Sequence, residues 1–162
     1  LVSLIDYKTN KEYRITTLDY LDCLRVIENN TIVYADPPYS SVHYSRFYHA
    51  IETLVKYDYP SVKYKGRYRE DRHQSPFSKK TEVGNAFQLL FEGVKKRNSH
   101  LVLSYSDNGL ISQNEILSIG NRVFGNKYKE EIHYKEHTHS KMGRSDEKSM
   151  EVNELIVSYK KL

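Results

Sequence analysis

Residues 31–39, Thr31-Ile32-Val33-Tyr34-Ala35-Asp36-Pro37-Pro38-Tyr39, join an apolar, β-branched run to a rigid stop. Thr31 to Ala35 has the pattern of a strand covered on both faces, as in a parallel sheet. Two prolines end it, because neither can donate to a strand ladder or sit inside a helix. A carboxylate, a fixed turn and an aromatic ring are thus delivered together at the carboxyl end of a buried strand. In open α/β sheets that end is where ligands sit. Prolines hold φ and carry no N–H, so backbone carbonyls beside them can face a ligand as acceptors. Such a site can grip an amino group from two directions and lay a flat ring above it.

The flanking sequence supplies the rest of an α/β fold. Upstream, Ser3 to Tyr7 and Tyr13 to Thr16 flank a polar turn and read as a short hairpin. Leu18, Leu21, Leu24 and Val26 or Ile27 then recur at helical spacing. Downstream, Phe47, Ile51, Leu54 and Val55 predict a helix around 45–56. Val83, Phe87, Leu90 and Val94 predict another that ends near Arg97-Asn98, before a buried strand at Leu101 to Tyr105. Ser112 and Glu115 form a capping-box pattern that opens a helix carrying Ile116, Leu117, Ile119 and Val123. Tyr128 to Tyr134 and Glu154 to Tyr159 read as strands with no helix between them, hence an antiparallel pair at the end of the sheet. The order β-α-β-α-β-β means α/β. The expected organisation is one domain over 1–162: an N-terminal hairpin and helix (1–30), the motif strand and helix (31–60), a basic loop (61–80) and a remaining α/β part (81–162).

Composition excludes several classes of function. The chain has 162 residues, 38% hydrophobic, with a mean hydropathy of −0.72 and no run of apolar residues long enough to span a membrane. The start lacks the marks of a secretory signal. Cys23 is the sole cysteine, which excludes an internal disulfide and a cysteine-built zinc site and fits a reducing, cytoplasmic setting. The net charge of +4 permits nucleic acid without diagnosing it. The seven glycines stand at 66, 84, 93, 109, 120, 125 and 143, so no G-x-G turn of the Rossmann type exists. His133, His137 and His139 lie near Glu136, but their spacing in a polar stretch without a second cluster argues against a metal site. Ser140 to Ser149 reads as a mobile loop.

Asp36-Pro37-Pro38-Tyr39 resembles the D/N-P-P-Y/F signature of the amino-group DNA methyltransferases of the adenine-N6 kind. The likeness continues through Tyr44-Ser45-Arg46-Phe47-Tyr48-His49, Glu52 to Asp58, Ser75 to Lys80 and Leu103 to Ser112, and covers roughly residues 17–160. Asp19 resembles the acidic residue these enzymes carry before the motif strand. The resemblance implies a partial Rossmann-like methyltransferase sheet, its catalytic half, with S-adenosylmethionine as methyl donor and no metal. Asp36, Pro37, Pro38 and Tyr39 would be catalytic, and Asp19 and Asp36 would meet the donor. Asp36 and the Pro37 carbonyl would accept the two N–H bonds of a flipped adenine, freeing its nitrogen lone pair, while Tyr39 stacks on the base.

Eight of the fifteen tyrosines lie within 34–68. Tyr34 and Tyr57 read as core packing, and Tyr44 and Tyr48 as candidates for nucleobase or cofactor contact. Residues 61–80 hold seven Lys/Arg against Glu70 and Asp71, a net +5 that exceeds the charge of the whole chain. Interleaved with aromatics, that run favours a loop tracking DNA phosphates, with Arg67, Arg72 and Lys79 as the chosen contacts.

The family's donor-binding glycine turn, F-x-G-x-G, is missing, so the expected state is half a sheet with an unpaired apolar edge. The main donor site and target recognition would then lie on a partner polypeptide, or the chain would self-associate. A split subunit, a fragment and a degenerate relative all fit this gap. The function expected is site-specific DNA adenine-N6 methylation, as in restriction–modification. The alternative is a nucleic-acid-binding subunit that kept the fold without catalysis. A third possibility, transfer to RNA or a protein amide, is less favoured because protein-amide methyltransferases usually carry asparagine where Asp36 stands.

Overall fold

The computed structural model describes residues 11–42, 45–63, 65, 68–139 and 150–162. The Ser3 to Tyr7 arm of the expected hairpin, Tyr44, Arg67 and the expected mobile loop at Ser140 to Ser149 lie outside them. In chain order the elements are α1 (Tyr20–Val26), β1 (Ile32–Ala35), α2 (Ser45–Lys56), β2 (Val62–Lys63), β3 (Tyr68–Arg69), α3 (Val83–Lys96), β4 (His100–Ser106), α4 (Gln113–Phe124), β5 (Tyr128–His139) and β6 (Met150–Lys161). Short 3-10 turns occupy Pro76–Ser78 and Gly125–Lys127.

Four strands form a mixed sheet in the order β1-β4-β6-β5. β1 runs parallel to β4 with Ile32 opposite His100, while β6 is antiparallel to both β4 and β5. The parallel pair is stapled at its start: the Thr31 amide donates to Ser99 Oγ at 3.2 Å. β2 and β3 form a separate antiparallel pair. The protein is therefore mixed α/β, with the terminal antiparallel pair that the sequence implied.

Registry sorts the side chains into two faces. Leu101, Leu103 and Tyr105 of β4 stand opposite Tyr159, Val157 and Leu155 of β6, and all six are essentially inaccessible to solvent. Phe87, Phe91 and Val94 of α3 and Ile116 and Phe124 of α4 cover this face. Each such side chain contributes roughly 1.5–3 kcal/mol by leaving water. The periodicity of Val83, Phe87, Leu90 and Val94 exists because one stripe of α3 must lie on the sheet. α1 packs on α3 where Gly93 has no side chain; a Cβ there would stand 2.7 Å from Leu24 Cδ1. Arg97 binds α1 further, its Nε donating to the Leu24 carbonyl at 2.7 Å.

The other face departs from expectation. Among the described residues β1 is an edge strand, and Ile32 and Tyr34 are 73% and 65% exposed, while Val33 and Ala35 pack toward the core. Coverage on both faces and a core role for Tyr34 are thus overturned. An apolar run shows only that both faces could be buried; it does not say what buries them. Tyr57, at φ +51° just past α2, is 91% exposed and is not core either. Tyr13 to Thr16 forms no strand, and the arm expected to pair with it lies outside the described residues.

Candidate active site

β1 ends at Ala35, and the next four residues turn across the carboxyl end of the sheet. Pro37 is buried, Asp36 is exposed, and Pro38 and Tyr39 are half-buried. The Tyr39 carbonyl accepts from the Leu110 amide at 3.0 Å, tying this turn to the one that follows β4. Among the described residues, no backbone amide outside the regular elements donates to the Pro37 carbonyl. The motif thus presents a carboxylate and a carbonyl, while its other end is fastened down.

Tyr39 is held more tightly than its sequence position suggests. Its hydroxyl donates to Asp36 Oδ1 at 2.6 Å and lies 3.2 Å from Ser104 Oγ. Its ring meets Tyr105 edge-on, with centroids 5.2 Å apart. Tyr105 does the same with Phe87, Phe87 with Phe77, and Phe77 with Tyr20. Such edge-to-face pairs fix ring orientation as well as burying area. Burial, and then the Asp36 carboxylate, push the Tyr39 hydroxyl pKa well above the ordinary tyrosine range, so it stays a donor.

A cavity of about 480 Å³ opens beside Asp36. That size lies within the usual range of small-molecule sites, roughly 300–1,000 Å³. Asp19, Tyr20 and Leu24 of the α1 region, Val33 of β1, Asp36, and Phe77 are among its lining. Asp19 caps α1 by accepting from the Leu21 amide at 2.9 Å, and its position on the wall brings it to the same cavity as Asp36. Sequence proximity alone did not establish that meeting; the packing of α1 on α3, which sets Asp19 on the wall of the cavity that Asp36 borders, does.

The predicted nucleic-acid contacts are dispersed. Tyr48, on α2, is about half exposed. Arg72 lies over the Tyr68 ring, 4.1 Å from its centroid, next to His73 on the cavity wall. Lys79 pairs with Glu82 at 3.1 Å. Counting cations overstated the loop's free charge. Arg69 is 2% exposed and donates to both Asp58 oxygens at 2.7 and 2.6 Å and to both Asp71 oxygens at 3.0 Å. Lys63 pairs with Glu70. Among the described residues no group of three or more His, Cys, Asp or Glu could hold a metal ion, and no helix is long and apolar enough to cross a membrane.

Sequence reasoning missed two residues of the site. Ser104, 2% exposed on β4, donates to Glu154 Oε1 on β6 by a short hydrogen bond. Ser104 was read only as part of a buried strand and of a stretch of family resemblance, and Glu154 only as the first residue of a strand. A lone carboxylate beginning an otherwise apolar strand was the available signal.

The profile of the D12 class N6 adenine-specific DNA methyltransferases matches residues 1–119. The type II methyltransferase M.FokI of Planomicrobium okeanokoites is 43% identical over 89 residues, 54% of this chain and 13% of that protein. The modification methylase LlaI of Lactococcus lactis subsp. lactis is 27% identical over 169 aligned positions, 93% of this chain and 27% of that protein. The type II methyltransferase M.NlaIII of Neisseria lactamica is 30% identical over 103 residues, 62% of this chain and 30% of that protein. The chain therefore spans less than a third of the length of each of these relatives. No solved structure matches it. With the profile covering most of its length, the motif strand and the Asp36 turn included, the chain belongs to the D12 class of N6 adenine-specific DNA methyltransferases.

Proposed function

We propose that the chain is the catalytic part of a site-specific DNA adenine-N6 methyltransferase, working as one unit built on half of a Rossmann-like sheet. The observation that carries this is the exposed Asp36 carboxylate, fixed by Tyr39 at the carboxyl end of β1 and bordering a ligand-sized cavity. The exocyclic nitrogen of adenine is a poor nucleophile because its lone pair is delocalised into the ring. Asp36 and the Pro37 carbonyl accept its two N–H bonds and hold the nitrogen closer to tetrahedral. As positive charge develops there, the adjacent carboxylate stabilises it. The base reaches the site by leaving the duplex. The Tyr39 ring offers its exposed side to the base, a contact worth ~1–3 kcal/mol.

The cavity's donor set fits S-adenosylmethionine. Apolar side chains such as Leu24, Val33 and Phe77 suit an adenosyl group, and two carboxylates suit a ligand bearing cationic and amino groups. Asp19 and Asp36 would hold it, and when bound it supplies an electrophilic methyl group that needs no metal. The open edge of β1 supports a further segment, in the same polypeptide or a partner, that completes the donor site and carries target recognition. Tyr48, Arg72 and Lys79 are the proposed DNA contacts, together with Tyr44 and Arg67.

The test is Asp36→Ala in the full-length protein. Transfer of labelled methyl to adenine in unmethylated DNA should fall at least a hundredfold, the scale on which proton-accepting side chains act. DNA affinity, measured by fluorescence anisotropy, should hold. Unchanged transfer, or no transfer by the wild-type protein, would favour the non-catalytic binding subunit.

A further inference from the structure

We propose that Ser104 and Glu154 are positioning residues for Asp36, forming with Tyr39 a chain that is one proton short and takes up the proton released by the methylated amine. The inference rests on the adenine-N6 reaction proposed above. Four groups stand in sequence: Asp36, Tyr39, Ser104 and Glu154. Ser104 faces Ile156 across the β4–β6 ladder and Glu154 faces Ser106, so Ser104 and Glu154 share a sheet face on the diagonal. Three oxygen–oxygen contacts link the four groups. With both carboxylates ionised, only two protons, those of Tyr39 and Ser104, are available to fill them.

The distances favour one placement of those protons. The Tyr39–Asp36 contact is 2.6 Å and the Ser104–Glu154 contact is short, whereas the central Tyr39–Ser104 contact is 3.2 Å. Both protons are drawn outward to the carboxylates, and the middle link is left without one. One additional proton completes all three links.

The proposed reaction releases one. After methyl transfer the nitrogen carries the methyl group, two hydrogens and a positive charge. One N–H bond breaks, its electron pair stays on nitrogen, and an O–H bond forms on Asp36. The carboxyl turns to donate that proton to the Tyr39 oxygen, Tyr39 turns its own proton to Ser104, and Ser104 continues to donate to Glu154. The four-group chain then carries one negative charge in place of two. Its surroundings hold Asp19 and His73 on the cavity wall, Lys135 opposite Glu154 on β5, and Asp107 just after β4. The raised pKa of Tyr39 keeps that hydroxyl protonated in both states.

Two measurements test this. In single-turnover methylation of unmethylated plasmid DNA by the full-length protein, Ser104→Ala and Glu154→Gln should each slow transfer roughly ten- to hundredfold. KM for DNA should be unchanged, and Ser104→Thr, which keeps the hydroxyl, should restore the rate. In the chain carrying 13C at its side-chain carboxyls, Asp36→Asn should move the Glu154 resonance, and Ser104→Ala should abolish that response. If Asp36→Ala abolishes transfer while Ser104→Ala and Glu154→Gln keep wild-type rates, the chain of groups is overturned and the proposed function stands. A Glu154 response that survives Ser104→Ala is direct charge coupling and also overturns it. If Asp36→Ala leaves transfer intact, the Asp36 site falls and this inference with it.

Discussion

Gly120 shows how closely single residues are constrained behind the sheet. It lies in α4, and a Cβ built on it would stand 2.0 Å from the Tyr159 hydroxyl oxygen, on a side chain only 1% exposed. Helix propensity favours alanine there by nearly 1 kcal/mol, but forcing a methyl into a packed contact costs ~1–3 kcal/mol. At 2.0 Å the Tyr159 ring must move, so the clash wins. Gly120→Ala is expected to destabilise the fold by about 1 kcal/mol net, lowering Tm roughly 2–4 °C in a thermal melt. Gly84→Ala is the control. Its Cβ would meet Ile111 Cδ1 at 3.8 Å, an ordinary contact, so its Tm should hold or rise. Equal losses at the two sites would show that backbone rather than packing dictates these glycines.

The β2–β3 pair depends on Arg69, the charged side chain most deeply buried among the described residues. Its guanidinium spans Asp58 beyond α2, Asp71 beyond β3, and Thr53 within α2 at 3.3 Å. Hydrogen bonds from Arg69 hold both aspartates below the usual carboxylate range. A depressed folded pKa stabilises above the unfolded value and loses that contribution as pH falls through the folded one. The clamp should therefore be intact at neutral pH and weaken below about pH 4. Hydrogen exchange over 57–72 should show protection at pH 7 that disappears near pH 3, while the β4 amides stay protected. Arg69→Met should lose that local protection already at pH 7. Loss at β4 in step with 57–72 would mean that the clamp is not a local device.

Elements with long periodic stretches were legible, and those set by distant partners were not. The helix expected around 45–56 spans Ser45–Lys56, and the Ser112–Glu115 capping box opens α4 as expected, with both reciprocal bonds present. α3 ends with Arg97 as its cap and Asn98 at φ +53°, as Arg97-Asn98 implied. β2 and β3 were missed because two residues carry no alternation to detect. Arg69 was read as one cation in a basic run because nothing local marks Asp58, eleven positions earlier, as its partner. At the site, Asp36 and Tyr39 were legible as a motif. Their link to Ser104 and Glu154 required strand order and register, which one sequence does not carry.

At the scale of the whole molecule, the covered and uncovered sides of the sheet ask for different explanations. α3 and α4 bury one face, whereas Ile32 and Tyr34 on the motif strand stand open, and among the described residues β1 pairs on one side only. An edge strand with apolar side chains is a template for further pairing. If a complementary segment pairs there and finishes the donor site, the two side chains should matter to association and not to the chain's own folding. Tyr34→Lys combined with Ile32→Lys is therefore expected to leave the Tm of the chain within about 2 °C, because exposed substitutions usually stay within ±0.5 kcal/mol. The same pair should reduce self-association or binding of the complementary segment at least tenfold in analytical ultracentrifugation. It should also cut methyl transfer by the full-length protein, since the proposed donor cavity shares Val33, Tyr34 and Ala35 with that strand. A large fall in Tm would place Ile32 and Tyr34 in the chain's own core. An unchanged association and rate would overturn the β1 edge as the proposed attachment site.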